Sequence, residues 1–135
     1  MLVAVVPAQN EVKSVGRVID VLLTSGAALV IPVVNGSTDG TAEVVQARTG
    51  SRVAPVFFDA PLGVDIPRAV GALCARMAGA TSVVFVDGDM AGNIGPALAA
   101  LVRAVEQGAD LALTDCYPNG YPRHPLTTRL LRVRA

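Results

Sequence analysis

Two aspartates separated by one glycine carry the clearest chemistry in this sequence. Asp87-Gly88-Asp89 directly follows the apolar run Val83 to Val86. Two carboxylates this close repel each other unless a cation or a hydrogen-bond donor compensates their charge. The glycine permits a tight turn and the close approach of a ligand. The motif therefore predicts that Asp87 and Asp89 hold Mg²⁺ or Mn²⁺ against a diphosphate, with a solvated Asp–Gly turn as the alternative.

Cysteine and histidine usage argues against any softer metal. The chain has two cysteines, Cys74 and Cys116, one histidine, His124, and no Cys-x-x-Cys or His-x-x-x-His spacing. Zinc and iron–sulfur sites need such clusters, so neither is expected. The cysteines are predicted to be small apolar residues rather than a disulfide.

Five short apolar runs without polar alternation are predicted to form strands that are covered on both faces. They are Leu2 to Val6, Leu29 to Val34, Val53 to Phe58, Val83 to Val86 and Leu111 to Leu113. Their regular alternation with helical patterns favours βαβ units. The expected fold is a three-layer α/β/α domain with a mostly parallel sheet.

Four segments with helical spacing separate these runs. The first is predicted to begin at the N-cap Asn10 and to stop at Ser25–Gly26, and the second spans Thr41 to Ala47. The third has Asp65 as a possible cap, and the fourth ends at Gly108.

Residues 1–115 are expected to form one domain, which residues 116–135 complete as a proline-rich loop and a short C-terminal helix. The helix carries Leu126, Leu130, Leu131 and Val133. These apolar side chains have few partners within the chain, so a homodimer through the helix would cover them.

Composition excludes several classes of partner. Eleven basic residues balance eleven acidic ones, and aromatic residues make up only 4% of the 135 positions, with no tryptophan. Nucleic-acid binding is therefore not expected. The uncharged apolar stretch Val21 to Val34 is too short and too broken to span a bilayer. Met1 to Val6 lacks the features of a signal peptide, so a cytoplasmic location is expected.

Polar clusters follow the first four predicted strands. In an open α/β sheet, ligands bind beyond the carboxyl ends of the strands, where these clusters would meet. A single polar cluster is equally consistent with an ordinary turn or cap. The clusters are Pro7 to Glu11, Asn35 to Thr41, Asp59 to Gly63 and Asp87 to Asp89.

Three of these segments resemble the motifs of the nucleotide-sugar-dependent glycosyltransferases of the GT-A fold, in particular family 2. Val5 to Glu11 is similar to a P-x-x-N-E start, and Asn35 to Thr41 to a D-G-S-x-D-G-T loop. Phe85 to Met90 is similar to the D-x-D strand end. Their order and spacing extend the resemblance over about residues 1 to 115.

The resemblance implies a Rossmann-like GT-A half that binds a nucleotide-diphosphate sugar and transfers the sugar to an unknown acceptor. It implies that Asp89 binds the metal on the diphosphate and that Asp87 approaches the ribose or the donor sugar. Asp39 is expected to fix its own loop or cap its helix. The remaining donor-site residues that it implies are Pro7, Ala8, Glu11, Asn35, Ser37, Arg68 and Gly88.

The sequence departs from the family pattern at three places. The basic residue that is common after the third strand is not obvious in Gly63-Val64-Asp65. Val34 and Asn35 stand where the family often has two acidic residues. The catalytic carboxylate of the family usually comes later in the chain, where Asp115 and His124 are the only candidates for the base, with a structural or pocket-wall role as the alternative for each. A donor-binding half is therefore expected.

Two other functions fit parts of the pattern. A non-catalytic nucleotide-binding or assembly domain would keep the fold without a base. A phosphatase of the haloacid dehalogenase type would use Asp87 and Asp89 as nucleophile and acid–base, but it needs a downstream lysine, and the only lysine is Lys13.

Overall fold

A computed structural model describes residues 1–114 of the chain. The chain divides into two units, residues 1–95 and residues from 96 onward. The first unit contains the whole sheet. Along the chain the elements are β1 (Leu2–Ala8), α1 (Val15–Thr24), β2 (Leu29–Asn35), α2 (Thr41–Gln46), β3 (Val56–Phe58), α3 (Asp65–Met77), β4 (Ser82–Phe85) and α4 (Ile94–Glu106).

The sheet has four parallel strands in the order β3-β2-β1-β4. In its centre, Val3 of β1 pairs with Leu29 on one side and Val83 on the other. Parallel strands place their carboxyl ends along one edge of a sheet, so the loops that follow β1, β2 and β4 come together. The expected three-layer, Rossmann-like GT-A architecture with a parallel sheet is confirmed.

Both faces of the central strands are buried, as their unbroken apolar sequences predict. On one face, Val3, Val5, Ile31 and Val33 form a cluster with Ala75 of α3. Successive residues of a strand point to opposite faces. The buried residues between them, such as Ala4 and Val6, therefore face the other side of the sheet.

Helix α3 approaches the sheet through its small residues. Gly71 is buried, and a Cβ at this position would overlap the side chain of Val5. By contrast, Leu73 and Met77 are exposed although they belong to the apolar pattern that predicted the helix. The pattern located the helix correctly, but glycine and alanine form its buried face.

Two predicted strands differ from the structure. β3 begins only at Val56, because Pro55 has no N–H to donate to a neighbouring strand; Val53 forms an isolated bridge with Val30. The predicted fifth strand, Leu111 to Leu113, is wrong: these residues have no ladder partner within residues 1–114, and Leu111 is 70% exposed. A strand forms only through hydrogen bonds to a neighbouring strand, which an apolar run does not specify by itself.

The predicted N-cap of α1 is also wrong. Asn10 has a left-handed backbone (φ 56°), and α1 begins five residues later at Val15, after a turn in which Ser14 and Val15 donate to the carbonyl of Glu11. Asn10 cannot cap the helix because its side chain accepts a hydrogen bond from another loop.

In the second unit, α4 ends two residues before the predicted Gly108, which has the positive φ expected at a helix end. No helix within residues 1–114 is long and apolar enough to cross a membrane. The predictions for Asp115, Cys116, His124, the C-terminal helix and its homodimer fall outside the described residues.

Candidate functional site

A pocket of about 260 Å³ opens beyond the carboxyl ends of β1, β2 and β4. The loop after β1, the end of β2, the loop between β3 and α3, and the turn after β4 all contribute to its walls. The lining residues are Pro7, Ala8, Gln9, Glu11, Asn35, Gly63, Val64, Pro67, Arg68, Asp87 and Asp89.

Most of the residues singled out from the sequence lie together in this pocket. Ser37 and Gly88 do not line it, although Gly88 is buried next to it. Gln9 and Gly63 were predicted only as members of the polar clusters Pro7 to Glu11 and Asp59 to Gly63, and the sequence reasoning missed Val64 and Pro67. A signal for these two was present, because Val64 directly follows the cluster that ends at Gly63 and Pro67 lies in the first turn of α3.

The loops after β1 and β2 are joined by hydrogen bonds between backbone and side chains. The N–H of Asn10 donates to the hydroxyl of Ser37 (3.0 Å), and the N–H of Thr38 donates to Oδ1 of Asn10 (2.8 Å). The Ser37 hydroxyl is therefore engaged in holding the loop that follows β1.

Asp39 and Thr41 extend this junction. The N–H of Val12 donates to Oδ2 of Asp39 (3.1 Å), and the N–H of Glu11 donates to the buried hydroxyl of Thr41 (2.8 Å). Thr41 in turn donates to Oδ1 of Asp39 through both its hydroxyl and its N–H. The hydroxyl bond is the main reason that the pKa of Asp39 is lowered. Asp39 thus fixes both its own loop and the loop that follows β1.

Asn35, at the end of β2, is buried and forms two hydrogen bonds to the loop between β3 and α3. Its Nδ2 donates to the carbonyl of Gly63 (2.9 Å), and its Oδ1 accepts from the N–H of Leu62 (2.8 Å). Both ends of the amide therefore hold the opposite wall of the pocket.

Glu11 projects a carboxylate into the pocket region, where its Oε2 is buried and has no hydrogen-bond partner among residues 1–114. The pKa of Glu11 is raised to about 7, mainly by burial and also by the negative charges of Asp89, Asp87 and Asp39, although a backbone hydrogen bond lowers it. A cation in the pocket would lower the pKa of Glu11 again, because a nearby positive charge favours the ionised carboxylate.

Asp87 is paired with a cation of the protein itself. The Arg68 guanidinium donates to Oδ1 of Asp87 at 2.6 Å, and its other nitrogen donates to the carbonyl of Val64 (3.2 Å). Both side chains of the ion pair are partly exposed. Asp89 is exposed, and no ion pair within residues 1–114 involves it.

Some of the oxygen donors in this pocket suit a hard cation, although they do not form a complete set of metal ligands. No three Asp, Glu, His or Cys side chains within residues 1–114 are close enough to enclose a metal by themselves. Mg²⁺ and Mn²⁺ are commonly held by one or two carboxylates, with phosphate and water as the remaining ligands. The exposed Asp89 and the unpartnered oxygen of Glu11 fit that pattern.

The model of the family described as Glycosyl transferase family 2 matches residues 3–132, almost the whole chain. The chain belongs to glycosyl transferase family 2. No curated protein matches it significantly. The family assignment gives the pocket a context, because the three segments that resemble family 2 motifs are the loops that follow β1, β2 and β4.

Proposed function

We propose that this family 2 domain binds a nucleoside diphosphate sugar in the pocket and transfers the sugar to an acceptor. The observation that carries the proposal is the convergence of Glu11, Arg68, Asp87 and Asp89 on one pocket at the carboxyl edge of a parallel sheet. Open α/β sheets bind nucleotides at this edge.

The pocket has two kinds of wall, which match the two halves of such a ligand. Pro7, Ala8 and Val64 offer apolar surface for a nucleobase and ribose. Arg68, Asp87 and Asp89 form the charged part, which suits the diphosphate. Specific polar groups on an otherwise apolar lining are typical of small-molecule sites.

Charge balance explains why a divalent cation belongs to this proposal. Among the described residues, three carboxylates and one guanidinium line the pocket, so a diphosphate would enter acidic surroundings. Asp89 would hold Mg²⁺ or Mn²⁺ there, with Oε2 of Glu11 and the carboxylate of Asp87, which also accepts from Arg68, as the neighbouring oxygen donors. When bound, the cation would neutralise charge on the diphosphate and stabilise it as a leaving group.

In the transfer, the bond between the anomeric carbon and the diphosphate oxygen breaks, and a new bond forms to an acceptor hydroxyl. The bond electrons remain on the diphosphate, and the acceptor proton passes to a base. Arg68 would bind the developing negative charge, a role that the position of its guanidinium in the charged wall supports. Asp115 stays a prediction for the base.

The two alternative functions make different predictions. A non-catalytic domain would bind the nucleotide and leave the sugar bond intact. The phosphatase alternative is disfavoured by the family assignment and by Lys13, which is exposed and does not line the pocket.

The decisive experiment measures melting temperature with uridine diphosphate or guanosine diphosphate, each with and without Mn²⁺. We expect at least one nucleotide to raise the melting temperature more strongly with Mn²⁺, because ligands that bind the folded state stabilise it. Asp89→Ala should abolish the Mn²⁺-dependent part. Glu106→Ala is the control, since it removes an exposed carboxylate that does not line the pocket.

A second assay follows the fate of the corresponding nucleotide sugars. Release of the nucleoside diphosphate, with transfer to water or to an added acceptor, would support the proposed activity. Binding without turnover would favour the non-catalytic domain. The absence of a thermal shift with every common nucleoside diphosphate would contradict donor binding altogether.

A further inference from the structure

We propose that Asn35 is a positioning residue for the nucleotide: it sets the β3–α3 wall of the pocket through its side-chain amide. The inference rests on the proposed function and adds to it a specific role for the end of β2. Asn35 is only 4% exposed, which means that its amide must find partners inside the protein.

The partners of Asn35 are backbone groups of a loop 27 and 28 residues further along the chain. Its Oδ1 accepts from Leu62, and its Nδ2 donates to Gly63. Gly63 and the following Val64 line the pocket. The amide therefore ties the end of the central strand β2 to the residues that form the facing wall.

The next residue, Gly36, reinforces this attachment. Its N–H donates to the carbonyl of Phe58 (3.0 Å), and a Cβ at position 36 would overlap the backbone of Ala60 and Pro61. With φ at 63°, Gly36 also holds a left-handed conformation that favours glycine. Asn35 and Gly36 together bring the loop against the sheet, and the amide of Asn35 fixes its last part.

The chemistry of the two bonds makes asparagine the specific choice at this position. An asparagine side chain offers a donor and an acceptor, whereas an ionised aspartate offers acceptors only. Asn35→Asp would keep the bond from Leu62 but would turn a carboxylate toward the Gly63 carbonyl. Asn35→Ala would remove both bonds.

The first measurement is hydrogen exchange at the Leu62 amide in the unliganded protein. In Asn35→Ala, we expect this amide to exchange roughly tenfold faster, because it loses its acceptor, while the amides of β1 and β2 stay protected. Unchanged exchange at Leu62 would overturn the proposal. This measurement requires no nucleotide, so it remains decisive if the proposed function fails.

The second measurement is the affinity for uridine diphosphate and guanosine diphosphate, each with Mn²⁺. At pH 8, we expect Asn35→Asp to bind roughly tenfold more weakly than the unmodified protein. Gln46→Glu makes the same change of charge on an exposed α2 residue outside the pocket lining and should leave affinity unchanged. Equal or tighter binding by Asn35→Asp would mean that the amide donor of Asn35 does not position the nucleotide site, and it would overturn the proposal.

A pH profile separates positioning from a general loss of stability. At pH values low enough to protonate the new carboxyl group, its O–H can donate to Gly63 and replace the lost amide donor. The ratio of the affinity of Asn35→Asp to that of the unmodified protein should then rise toward one. The ratio cancels the titration of the ionisable groups that line the pocket in both proteins, which are Glu11, Arg68, Asp87 and Asp89. A ratio that stays low at every pH would contradict the donor role.

If the unmodified protein binds neither nucleotide, the proposed function fails on its own account. The exchange of Leu62 would still decide whether Asn35 holds the loop.

Discussion

The carboxylate of Glu11 occupies the space that a side chain at position 88 would need. A Cβ on Gly88 would overlap Oε2 of Glu11 and lie 3.1 Å from the Cβ of Ala8. The glycine of the Asp87-Gly88-Asp89 motif therefore serves the loop that follows β1, in addition to the turn that follows β4. The two acidic segments of the pocket are in direct contact through it.

We expect Gly88→Ala to force Glu11 out of its position. Because the overlapping atom is the end of a flexible side chain, the substitution should lower the free energy of unfolding by about 1 kcal/mol or less, below the usual cost of overfilling a packed site. Urea unfolding measures it. Gly50→Ala is the matched control, because a Cβ at Gly50 meets open space. Equal stability of the two variants would show that Glu11 adjusts without cost.

A second prediction concerns the contact between α3 and the sheet. Alanine favours helices over glycine by about 1 kcal/mol, so Gly71→Ala would stabilise α3 in isolation. In the protein, the new methyl group would overlap Val5, and we expect a net destabilisation of about 1–2 kcal/mol. Adding Val5→Ala should make the effect of Gly71→Ala favourable or neutral. If Gly71→Ala is stabilising in the unmodified background, the close packing of α3 is wrong.

The raised pKa of Glu11 predicts how stability depends on pH. The folded protein keeps this proton up to about pH 7, whereas the unfolded chain loses it near the ordinary value of 4.5. Between these values the unfolded state binds fewer protons, so the free energy of unfolding falls as pH rises from 4.5 to about 7 and then levels off. Solvent screening of this half-exposed group reduces the change to about 1 kcal/mol.

The comparison of Glu11→Gln with the unmodified protein isolates this contribution in urea unfolding at pH 5 and pH 8. The variant should gain stability relative to the unmodified protein at pH 8 and show little difference at pH 5. Asp39, whose pKa is lowered, acts in a separate window below its ordinary 3.8 and loses its contribution on acidification. The opposite sign, with Glu11→Gln less stable at pH 8, would exclude a raised pKa.

The hydroxyl of Thr41 gives a fourth prediction. Thr41→Val keeps the shape of the side chain but leaves the N–H of Glu11 without an acceptor and Asp39 without its hydroxyl donor. We expect a loss of about 1–3 kcal/mol in the free energy of unfolding. Thr49→Val, at an exposed position outside any helix or strand, should change it by less than about 0.5 kcal/mol. A similar small effect at Thr41 would mean that water replaces the hydroxyl.

Hydrophobic runs were sufficient to predict the sheet, because each central strand is buried on both faces and therefore apolar throughout. The hydrophobic pattern gave wrong predictions where apolar residues are exposed in the folded protein. Leu111 to Leu113 is apolar but has no pairing strand within residues 1–114, and strand formation depends on a partner that a local pattern does not reveal. In α3, Leu73 fits the helical period yet is exposed, because Gly71 and Ala75 form the buried face.

The pocket was predictable to the extent that strand ends converge in a parallel sheet. Asp87, Asp89 and Glu11 all follow strands, so topology alone brings them together. The partners of individual side chains were not predictable, since they depend on distances between loops. Asn10 was expected to cap a helix and instead bonds with Ser37 and Thr38, 27 and 28 residues away.

The bonds that join Asn10, Glu11 and Val12 to Ser37, Asp39 and Thr41 affect how this domain can be recombined with relatives. In a chimera that exchanges only one of the two segments, backbone N–H groups lose their hydrogen-bond acceptors wherever the matching side chain is absent. The two segments should therefore be transplanted as a pair, even though more than twenty residues of helix and strand separate them in the sequence.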